Sequence, residues 1–452
     1  MPEGYFRLRE HGTTVGTEVL AGLTTFMVMA YIIFVNPAIL SFASVPALQS
    51  QGVPFAPALA ATCLVAALAT AAMGLVTNYP LAVASGMGLN AVVAFQLIAA
   101  QGLPWPAAMG VIFWEGVLIT LLVLVGVREA VLNAIPLALK RAISVGIGLF
   151  ILFIGLVNGG LVRPGQGIPV TLGQLTSAKV AVAVVGLLLT LLLLARGARA
   201  ALLLGIVGTT VLAVVVNAAR GGGVWTTPGV AVVPTQLVAW PDFGTLGAGL
   251  NVEAFVRLGL LGAGLAIFSI MLSDFFDTVG TVIGIGAEAK WLDTKGRLPR
   301  MNRVLLVDSA AAALGGAAGA SSATTYIESA AGVAAGGRTG LTSVVVAVCF
   351  ALALFVAPLA GVVPPEATAP ALIVVGYLMC ALVREIPFAD LEEGFPALLT
   401  MTLMPFSYSI TNGIGAGFVS YVVIKLVRGR GGAVHPLMYA AAAAFVVYFV
   451  LH

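Results

Sequence analysis

The sequence carries very little charge. Of its 452 residues, 9% are Asp, Glu, Lys or Arg, whereas 60% are hydrophobic. Soluble domains carry charge on about a quarter of their residues, so this composition excludes an ordinary soluble protein. The most hydrophilic insert, 290–303, is too short to fold as a second domain.

Cysteine, histidine and catalytic motifs are also scarce. The three cysteines, Cys63, Cys349 and Cys380, lie in apolar runs without the paired spacing of a metal or redox site. The three histidines lie near the two ends of the chain, and the sequence has neither a phosphate-binding loop nor a nucleophile elbow. We therefore expect no metal and no cofactor, and a membrane enzyme is disfavoured.

Apolar runs long enough to cross a bilayer recur from one end of the chain to the other. They predict an all-α polytopic membrane protein with about fourteen spans, seven in each half. The predicted spans are 18–40, 56–77, 80–100, 106–126, 136–158, 178–195, 200–218, 257–287, 303–319, 321–337, 341–360, 367–383, 395–410 and 412–427. A last apolar stretch, Leu437–Leu451, is short for a span and is expected to lie at the interface or against the bundle.

The 21 Lys and Arg residues are distributed unequally between the two sides of these spans. With the N-terminus in the cytoplasm, all but Arg163, Lys179, Arg220 and Arg257 fall on the cytoplasmic side. Positive residues favour that side, so the pattern predicts a multi-pass protein of the cell membrane with a cytoplasmic N-terminus. The net charge of +3 reflects this orientation and gives no reason to expect nucleic-acid binding.

The two halves of the sequence resemble each other. Residues 21–29 (AGLTTFMVM) align with 263–271 (AGLAIFSIM), and a polar residue follows each within a small-residue stretch, Asn90 in one half and Glu328 in the other. Seven spans per half would invert the second copy. Inverted repeats are typical of secondary transporters, whose substrate site lies near the midplane where the copies meet.

Two spans contain residues that interrupt a helix. Residues 80–90 begin with proline and contain two glycines, and residues 315–326 are rich in glycine and then in hydroxyl side chains. Irregular backbone at membrane depth survives only inside protein or beside a cavity. Interrupted segments at matching positions in two halves are the best sequence indication of a transporter site.

Three acidic residues lie in neighbouring apolar segments. Asp274 and Asp277 are three positions apart and project from one face of a helix, and Glu328 begins a half-helix. Each costs roughly 2.5–3.5 kcal/mol in a membrane helix even on a lenient scale, so a functional role is favoured. The carboxylate of Glu328 and the amide of Asn90 suit the edge of a planar heterocycle. The aspartate pair suits a shared proton.

Other polar residues are expected to be structural. Asp308 either takes part in the site or bonds the backbone of the neighbouring broken segment, Asn36 beside Pro37 marks a kink or a cavity wall, and Glu115 belongs to a buried network. Acidic residues near span ends are expected to be solvated: Glu18, Glu129, Glu385, Glu392 and Glu393.

Several motifs resemble those of the bacterial adenine/guanine/hypoxanthine permeases, the AzgA-like branch of the nucleobase–cation symporters. The resemblance covers about residues 6–437. It is carried by 36–40 (NPAIL), 86–91 (GMGLNA), 127–130 (VREA), 133–136 (NAIP), 140–143 (KRAI), 274–281 (DFFDTVGT) and 324–332 (TTYIESAAG). In one respect the chain departs from the wider superfamily, whose eighth span carries a glutamate, often with a histidine nearby. Two aspartates lie there in this chain, and Asp277-Thr278-Val279-Gly280 resembles the superfamily's acid-x-x-Gly.

The resemblance implies fourteen spans in two inverted repeats, divided into a core and a gate domain. The core would comprise 18–126 (spans 1–4) and 257–360 (spans 8–11), and the gate would comprise 136–218 and 367–427. Residues 435–452 would form a C-terminal apolar segment. Short antiparallel strands in spans 3 and 10 would face each other at the midplane, and a homodimer could form through the gate.

The resemblance implies proton-coupled uptake of adenine, guanine or hypoxanthine by alternating access, driven by the proton gradient. The substrate would lie between spans 3, 8 and 10, beside Gly86, Met87, Asn90, Asp277, Tyr326, Ile327 and Glu328. Asp274, Asp277 and Glu328 are the candidates for proton coupling. The preferred purine, H⁺ or Na⁺ coupling and the division of roles between the aspartates stay open. The alternative is a channel-like or cation-coupled carrier of another small polar solute.

Overall fold

The computed structural model describes residues 2–126, 134–165, 167–227, 229–292 and 298–451. Within these ranges, ten helices are long and apolar enough to cross a bilayer. The sequence motifs at 127–130 and Asn133, as well as Lys295 and Arg297, lie outside the described residues. The expectation for Glu129 lies outside them as well.

Within the described residues, the first half of the chain contains nine α-helices and three short strands. These are α1 (Pro2–Phe6), α2 (Val15–Met29), α3 (Ile32–Leu40), α4 (Phe55–Thr77), β1 (Val83–Ser85), α5 (Met87–Ala91, continued by a π-helical turn at Val92–Ala100), α6 (Trp105–Leu124), α7 (Leu137–Asn158), β2 (Val162–Arg163), β3 (Thr171–Leu172), α8 (Ala178–Ala195) and α9 (Ala201–Ala219). The first predicted span is divided into α2 and α3 by a break at Ala30–Tyr31.

The second half follows the same order. Its elements are α10 (Glu253–Glu288, kinked at Gly259, whose dihedral angles are not helical), α11 (Met301–Ala318), β4 (Ala323–Thr325), α12 (Ser329–Ala334), α13 (Gly340–Ala353), α14 (Ala357–Gly361), α15 (Pro365–Met379), α16 (Leu391–Ser407), α17 (Ile410–Val427) and α18 (Pro436–Leu451). The last apolar stretch forms a helix that contacts α17 and α10.

Both interrupted segments contain a short strand, as the sequence resemblance implied. β1 and β4 are antiparallel, with Val83 opposite Thr325 and Ser85 opposite Ala323. Two further backbone hydrogen bonds extend the pairing, from Gly86 N to the Ser322 carbonyl (2.8 Å) and from Tyr326 N to the Ala82 carbonyl (2.9 Å). The two interrupted segments therefore satisfy each other's polar backbone in a region where water is not available.

Small residues bring the helices around this strand pair into close contact. A Cβ atom added to Gly116 of α6 would lie 2.1 Å from the Ala313 nitrogen of α11, and one added to Gly340 of α13 would lie 2.0 Å from the Gly74 carbonyl oxygen of α4. Glycine allows such backbone approach, which is the usual means of tight helix association in membranes. α11 ends at Gly319, whose φ of +84° favours glycine and allows the chain to turn into β4.

The long helices form two groups defined by mutual contacts. α2, α4, α6, α10, α11 and α13 pack together around the strand pair, and α7, α8, α9, α15, α16 and α17 pack together beside them. α10 and the strand-following helix α5 contact α7 of the second group. The strand pair thus lies inside one group, close to its boundary with the other.

Two glutamates that were expected to be solvated are buried instead. Glu18 is 0% exposed and accepts hydrogen bonds from Arg338 N (2.8 Å) and Thr342 Oγ1 (2.6 Å) at the beginning of α13. Glu392 is 1% exposed and pairs with cations, Lys425 at 2.5 Å and Arg430 at 3.0 Å. Both expectations were wrong because a helix N-terminus and a cation cluster from distant parts of the sequence supply the partners that water would otherwise provide.

Candidate functional site

A cavity of about 80 Å³ lies beside the strand pair, where the two groups of helices meet. Six of the predicted site residues line it: Gly86, Met87, Asp277, Tyr326, Ile327 and Glu328. Val375 and Met379 of α15 form the wall contributed by the second group of helices. The broken spans 3 and 10 and the long helix α10 therefore bring residues from both halves of the chain to one place.

Glu328 begins the half-helix α12, directly after the chain leaves β4. One of its carboxylate oxygens accepts a 2.6 Å hydrogen bond from the Tyr31 hydroxyl, and the side chain is half-buried. The second acidic residue that lines the cavity is Asp277 of α10. These two side chains present hydrogen-bond acceptors to the cavity.

Tyr326 fixes the end of one strand against the other. Its hydroxyl donates a hydrogen bond to the carbonyl of Ser85, and the residue is 5% exposed. Ile327, the next residue, is 53% exposed. The buried Tyr326 thus holds the two strands together, whereas the exposed Ile327 presents an apolar side chain to the cavity.

Asp308 supports the strand pair from α11. Its Oδ1 accepts hydrogen bonds from the backbone nitrogen of Thr325 (2.8 Å) and from the Thr325 hydroxyl (2.7 Å), while its Oδ2 accepts one from Thr278 (2.6 Å). Thr278 also contacts Thr324 across 2.7 Å. Asp308 thus bonds the neighbouring broken segment, which is the structural role considered from the sequence, and it does not line the cavity.

Asn90 lies behind the cavity and is not among its lining residues. Its side-chain nitrogen donates to Asn36 Oδ1 (3.0 Å), and Asn36 in turn donates to Thr62 (2.8 Å) and to the Ala320 carbonyl (3.1 Å). Asn36 therefore connects both broken segments. The Oδ1 of Asn90 is buried without a hydrogen-bond partner among the described residues.

Asp274 is on the same helix as Asp277, one turn earlier. It is 1% exposed and does not line the cavity. The two aspartates therefore have different environments. Asp277 is half-buried at the cavity wall, whereas Asp274 is buried between packed helices.

Sequence reasoning missed several residues of the site. Tyr31, Gly88, Thr281, Thr324, Thr325, Val375 and Met379 also line the cavity. Tyr31 lies between α2 and α3, and its hydroxyl donates to Glu328, 297 positions away. A single tyrosine in an apolar run carries no signal of such a contact, whereas the hydroxyl-rich stretch before Tyr326 was a signal that could have led to Thr324 and Thr325.

The side chains that line the cavity are suited to binding a small polar molecule. Two carboxylates, hydroxyl groups and apolar side chains surround a small space, and no group of three or more His, Cys, Asp or Glu residues suitable for a metal ion occurs in the described part of the chain. Paired interrupted segments around such a space, inside a multi-pass helical bundle, are characteristic of a secondary transporter.

Comparison with known proteins gives the same class. The profile of the xanthine/uracil permease family matches residues 16–432. The chain belongs to this family of membrane permeases and is a transporter, not an enzyme.

Relatives in this family match over their full length. Adenine permease AdeP of Escherichia coli (strain K12) is 42% identical over 450 residues, which cover 100% of this chain and 96% of the relative. Guanine/hypoxanthine permease PbuG of Bacillus subtilis (strain 168) is 37% identical over 456 residues, which cover 99% of each chain.

Solved structures with low sequence identity have the same inverted-repeat transporter fold. The transmembrane domain of the cyanobacterial bicarbonate transporter BicA gives a TM-score of 0.61 at 14% identity and covers 89% of this chain and 96% of that one. Murine Slc26a9, an anion transporter in the inward-facing state, gives 0.64 at 12% identity and covers 91% of this chain and 68% of that one. The prediction of an inverted-repeat membrane fold is confirmed.

Proposed function

We propose that this protein imports purine nucleobases, adenine, guanine or hypoxanthine, across the cell membrane by proton symport and alternating access. The observation that carries the proposal is the convergence of Glu328 and Asp277 on one cavity beside the paired broken segments. The names of the relatives support a purine as the substrate.

The base would lie between span 3, span 8 and the half-helix α12. Glu328 accepts an N–H of the ring, because its carboxylate is oriented by Tyr31 and faces the cavity. Asp277 accepts a second N–H from the opposite helix. Met87, Ile327 and Met379 provide apolar contact with the ring faces, an arrangement typical of small-molecule sites.

Asn90 contributes to the same site in our proposal, although its amide rests on Asn36. Its buried Oδ1 has no hydrogen-bond partner among the described residues, and a state in which this oxygen accepts a hydrogen bond from the substrate would remove that cost. A small shift of α5 would bring Asn90 to the substrate.

The size of the cavity favours movement between the two groups of helices. At about 80 Å³ it is far below the roughly 300 Å³ at the lower end of ligand sites, so its walls have to separate to admit a base. The proposed core domain comprises residues 18–126 and 257–360, and it carries the strand pair and Asp277. The gate, 136–218 with 367–427, carries Val375 and Met379. Rocking of the gate against the core opens the site to each side in turn.

Protons couple to this movement through Asp274, Asp277 and Glu328. Two aspartates on one helix face in a low-dielectric environment do not both remain charged easily, so one of them exchanges a proton as the cavity opens to water. We assign substrate contact to Asp277, because it lines the cavity, and proton handling to Asp274. No cofactor is needed, since the proton gradient supplies the free energy.

Orientation follows from the charges. The excess of basic residues on one side of the predicted spans supports a cytoplasmic N-terminus. Homodimerisation through the gate, which the family resemblance implies, is compatible with exposed apolar residues on α8 and α9 such as Leu188 (61% exposed) and Val211 (57% exposed). The lipid bilayer would otherwise cover this face.

Uptake of labelled adenine, guanine and hypoxanthine into cells deficient in purine transport tests the proposal. We expect saturable accumulation of at least one base, abolished by a protonophore and unaffected by replacing Na⁺ with K⁺. Absence of uptake above the empty-vector background for all three bases overturns the proposal. Non-saturable uptake favours a channel-like conductor, and loss of uptake without Na⁺ favours Na⁺ coupling.

A further inference from the structure

A second and larger cavity, of about 480 Å³, lies at one end of the bundle. It is lined by residues that follow α3 and precede α4, by Asn158 at the end of α7, by Lys179 at the beginning of α8, and by Glu366 in the first turn of α15. We call it the vestibule.

The ends of the helices determine on which side the vestibule opens. α7 runs from Arg141, which pairs with Glu385 at 2.6 Å, to Asn158 at the vestibule. α15 and the turn after it run the other way, from Glu366 at the vestibule to Glu385. The vestibule therefore lies at the end opposite to Arg141 and Glu385, away from the side that carries most of the basic residues, and this end is the outer face in the proposed orientation.

Glu366 is the principal polar group of the vestibule. It is only 9% exposed, and its Oε2 accepts a hydrogen bond from the indole nitrogen of Trp225 at 2.9 Å. None of the ion pairs in the described part of the chain includes Glu366. A buried carboxylate with one neutral donor beside a cavity is able to accept further N–H groups from a ligand.

Asn158 provides the complementary group. Its Oδ1 accepts a 2.7 Å hydrogen bond from the hydroxyl of Ser44, which follows α3 in the proposed core. The amide nitrogen of Asn158 can donate to an acceptor in the vestibule. The Ser44–Asn158 hydrogen bond crosses between core and gate, so a ligand at Asn158 contacts the boundary that the transport cycle rearranges.

We propose that the vestibule is a second nucleobase site, which receives the purine from outside before it reaches the central cavity. The carboxylate of Glu366 accepts a ring N–H, the Asn158 amide donates to a ring nitrogen or carbonyl, and the apolar side chains of Phe55 and Val363 contact the ring faces. This inference rests on the proposed function and adds a site to it.

The composition of the vestibule favours a neutral heterocycle over a cation. Lys179 lines the same cavity, and its ammonium group opposes a second cation there, while a neutral base can use the polar and the apolar parts of the lining together. The volume lies within the usual range of small-molecule sites, about 300–1,000 Å³, in contrast to the central cavity.

Equilibrium binding of tritiated adenine, guanine and hypoxanthine to the purified full chain in lipid nanodiscs tests the vestibule. For a base that the parent transports, we expect two molecules bound per chain. Glu366→Gln should remove or weaken by at least about tenfold one of them, since a charge-assisted hydrogen bond is lost. Glu328→Gln should remove the other. Asn158→Ala serves as a second vestibule variant if Glu366→Gln does not fold.

A fluorescence measurement separates the two sites. Purine should quench Trp225, which lines the vestibule, in the Glu328→Gln variant as well as in the parent, and the quenching should disappear in Trp225→Phe. Glu253→Gln is the matched control, because Glu253 is an acidic residue near the beginning of α10 that pairs with Arg257 at the surface. It should bind and transport like the parent.

The outcomes distinguish this inference from the proposed function. A parent that transports purine, binds one molecule per chain and is unaffected by Glu366→Gln and Asn158→Ala overturns the vestibule site alone. Competition of Na⁺ for the Glu366-dependent site assigns the vestibule to a cation and also overturns it. A parent that neither transports nor binds any of the three bases overturns the proposed function, and the vestibule inference with it.

Discussion

The hydroxyl of Tyr31 donates a 2.6 Å hydrogen bond to the carboxylate of Glu328, although the two residues are separated by 297 positions in the sequence. Tyr31 lies at the break in the first span, and Glu328 lies at the beginning of a half-helix in the tenth predicted span. The bond connects the two halves of the chain at the wall of the central cavity. It also orients the acidic group to which we assign substrate recognition.

Tyr31→Phe should weaken purine uptake without affecting folding. Loss of the hydroxyl removes one donor from the carboxylate and frees its orientation, so KM should rise by about tenfold, the equivalent of one hydrogen bond to a charged group. Initial uptake rates over a range of purine concentrations measure this. Tyr5→Phe, which removes an exposed hydroxyl bonded to the Leu75 carbonyl, should leave KM unchanged. Equal KM values for the parent, Tyr31→Phe and Tyr5→Phe would show that the Tyr31 hydroxyl does not contribute to substrate recognition.

Glu328→Gln should impair binding of the base itself. A carboxamide of the same size replaces the charged acceptor, and affinity should fall by about tenfold or more. Direct binding to purified protein measures the effect independently of coupling. Glu10→Gln, at an exposed acid that pairs with Arg7 at 3.6 Å, is the control. A Glu328 variant that folds and binds purine like the parent contradicts the assignment.

Asn replacements should separate the roles of the two aspartates. Asp274→Asn retains size and hydrogen bonding but cannot release a proton, so accumulation against a gradient should disappear while exchange of labelled for unlabelled purine persists. Asp277→Asn should reduce binding, because Asp277 lines the cavity. Net uptake and exchange in proteoliposomes, with and without an imposed pH gradient, measure both. If both variants concentrate purine like the parent, Glu328 becomes the remaining coupling candidate.

Asp308→Asn should destabilise the protein without removing a ligand contact. Asp308 accepts three hydrogen bonds, two of them from Thr325, and an amide nitrogen in place of one oxygen cannot accept. An unmet buried group costs about 1–3 kcal/mol, so the thermal midpoint in detergent should fall. Asp242→Asn, at an exposed turn, provides the comparison and should unfold like the parent. An unchanged midpoint for Asp308→Asn would show that the strand pair does not depend on this carboxylate.

Gly340→Ala should disrupt the crossing of α13 and α4. The added methyl group would lie 2.0 Å from the carbonyl oxygen of Gly74, and backbone cannot move aside without separating the helices. We expect a loss of folded, monodisperse protein in size-exclusion chromatography. Gly264→Ala, whose added Cβ meets no atom within 4 Å, should be tolerated. Similar yields of the two variants would contradict the close approach.

Much of the fold was predictable because hydrophobic length is a local property. The predicted span 178–195 coincides with α8, and the predicted strands lie in the two segments where proline, glycine and hydroxyl residues interrupt the apolar runs. The support of β4 by Asp308 was one of the alternatives considered. The spans and their interruptions depended on residues close together in the sequence, whereas the strands were implied by the family resemblance.

The details of the site depend on contacts that the sequence does not encode locally. An irregular segment has no regular period, so the sequence did not indicate that Asn90 would rest on Asn36 and lie outside the cavity lining. The burial of Glu18 and Glu392 depends in the same way on partners from other helices. The contact of Tyr31 with Glu328 joins residues 297 positions apart, and no local pattern predicts it.

The pairing of β1 with β4 has a consequence for biosynthesis. β1 leaves the ribosome about 240 residues before its partner, since Ser85 is opposite Ala323. Until then its backbone donors and acceptors have no strand to bond inside the membrane. In the first half, β1 therefore stays unpaired until β4 is synthesised, and neighbouring helices or the insertion machinery must shield it. Each half should be degraded when it is expressed alone. When they are co-expressed as separate chains, split in the loop between α9 and α10, each should stabilise the other.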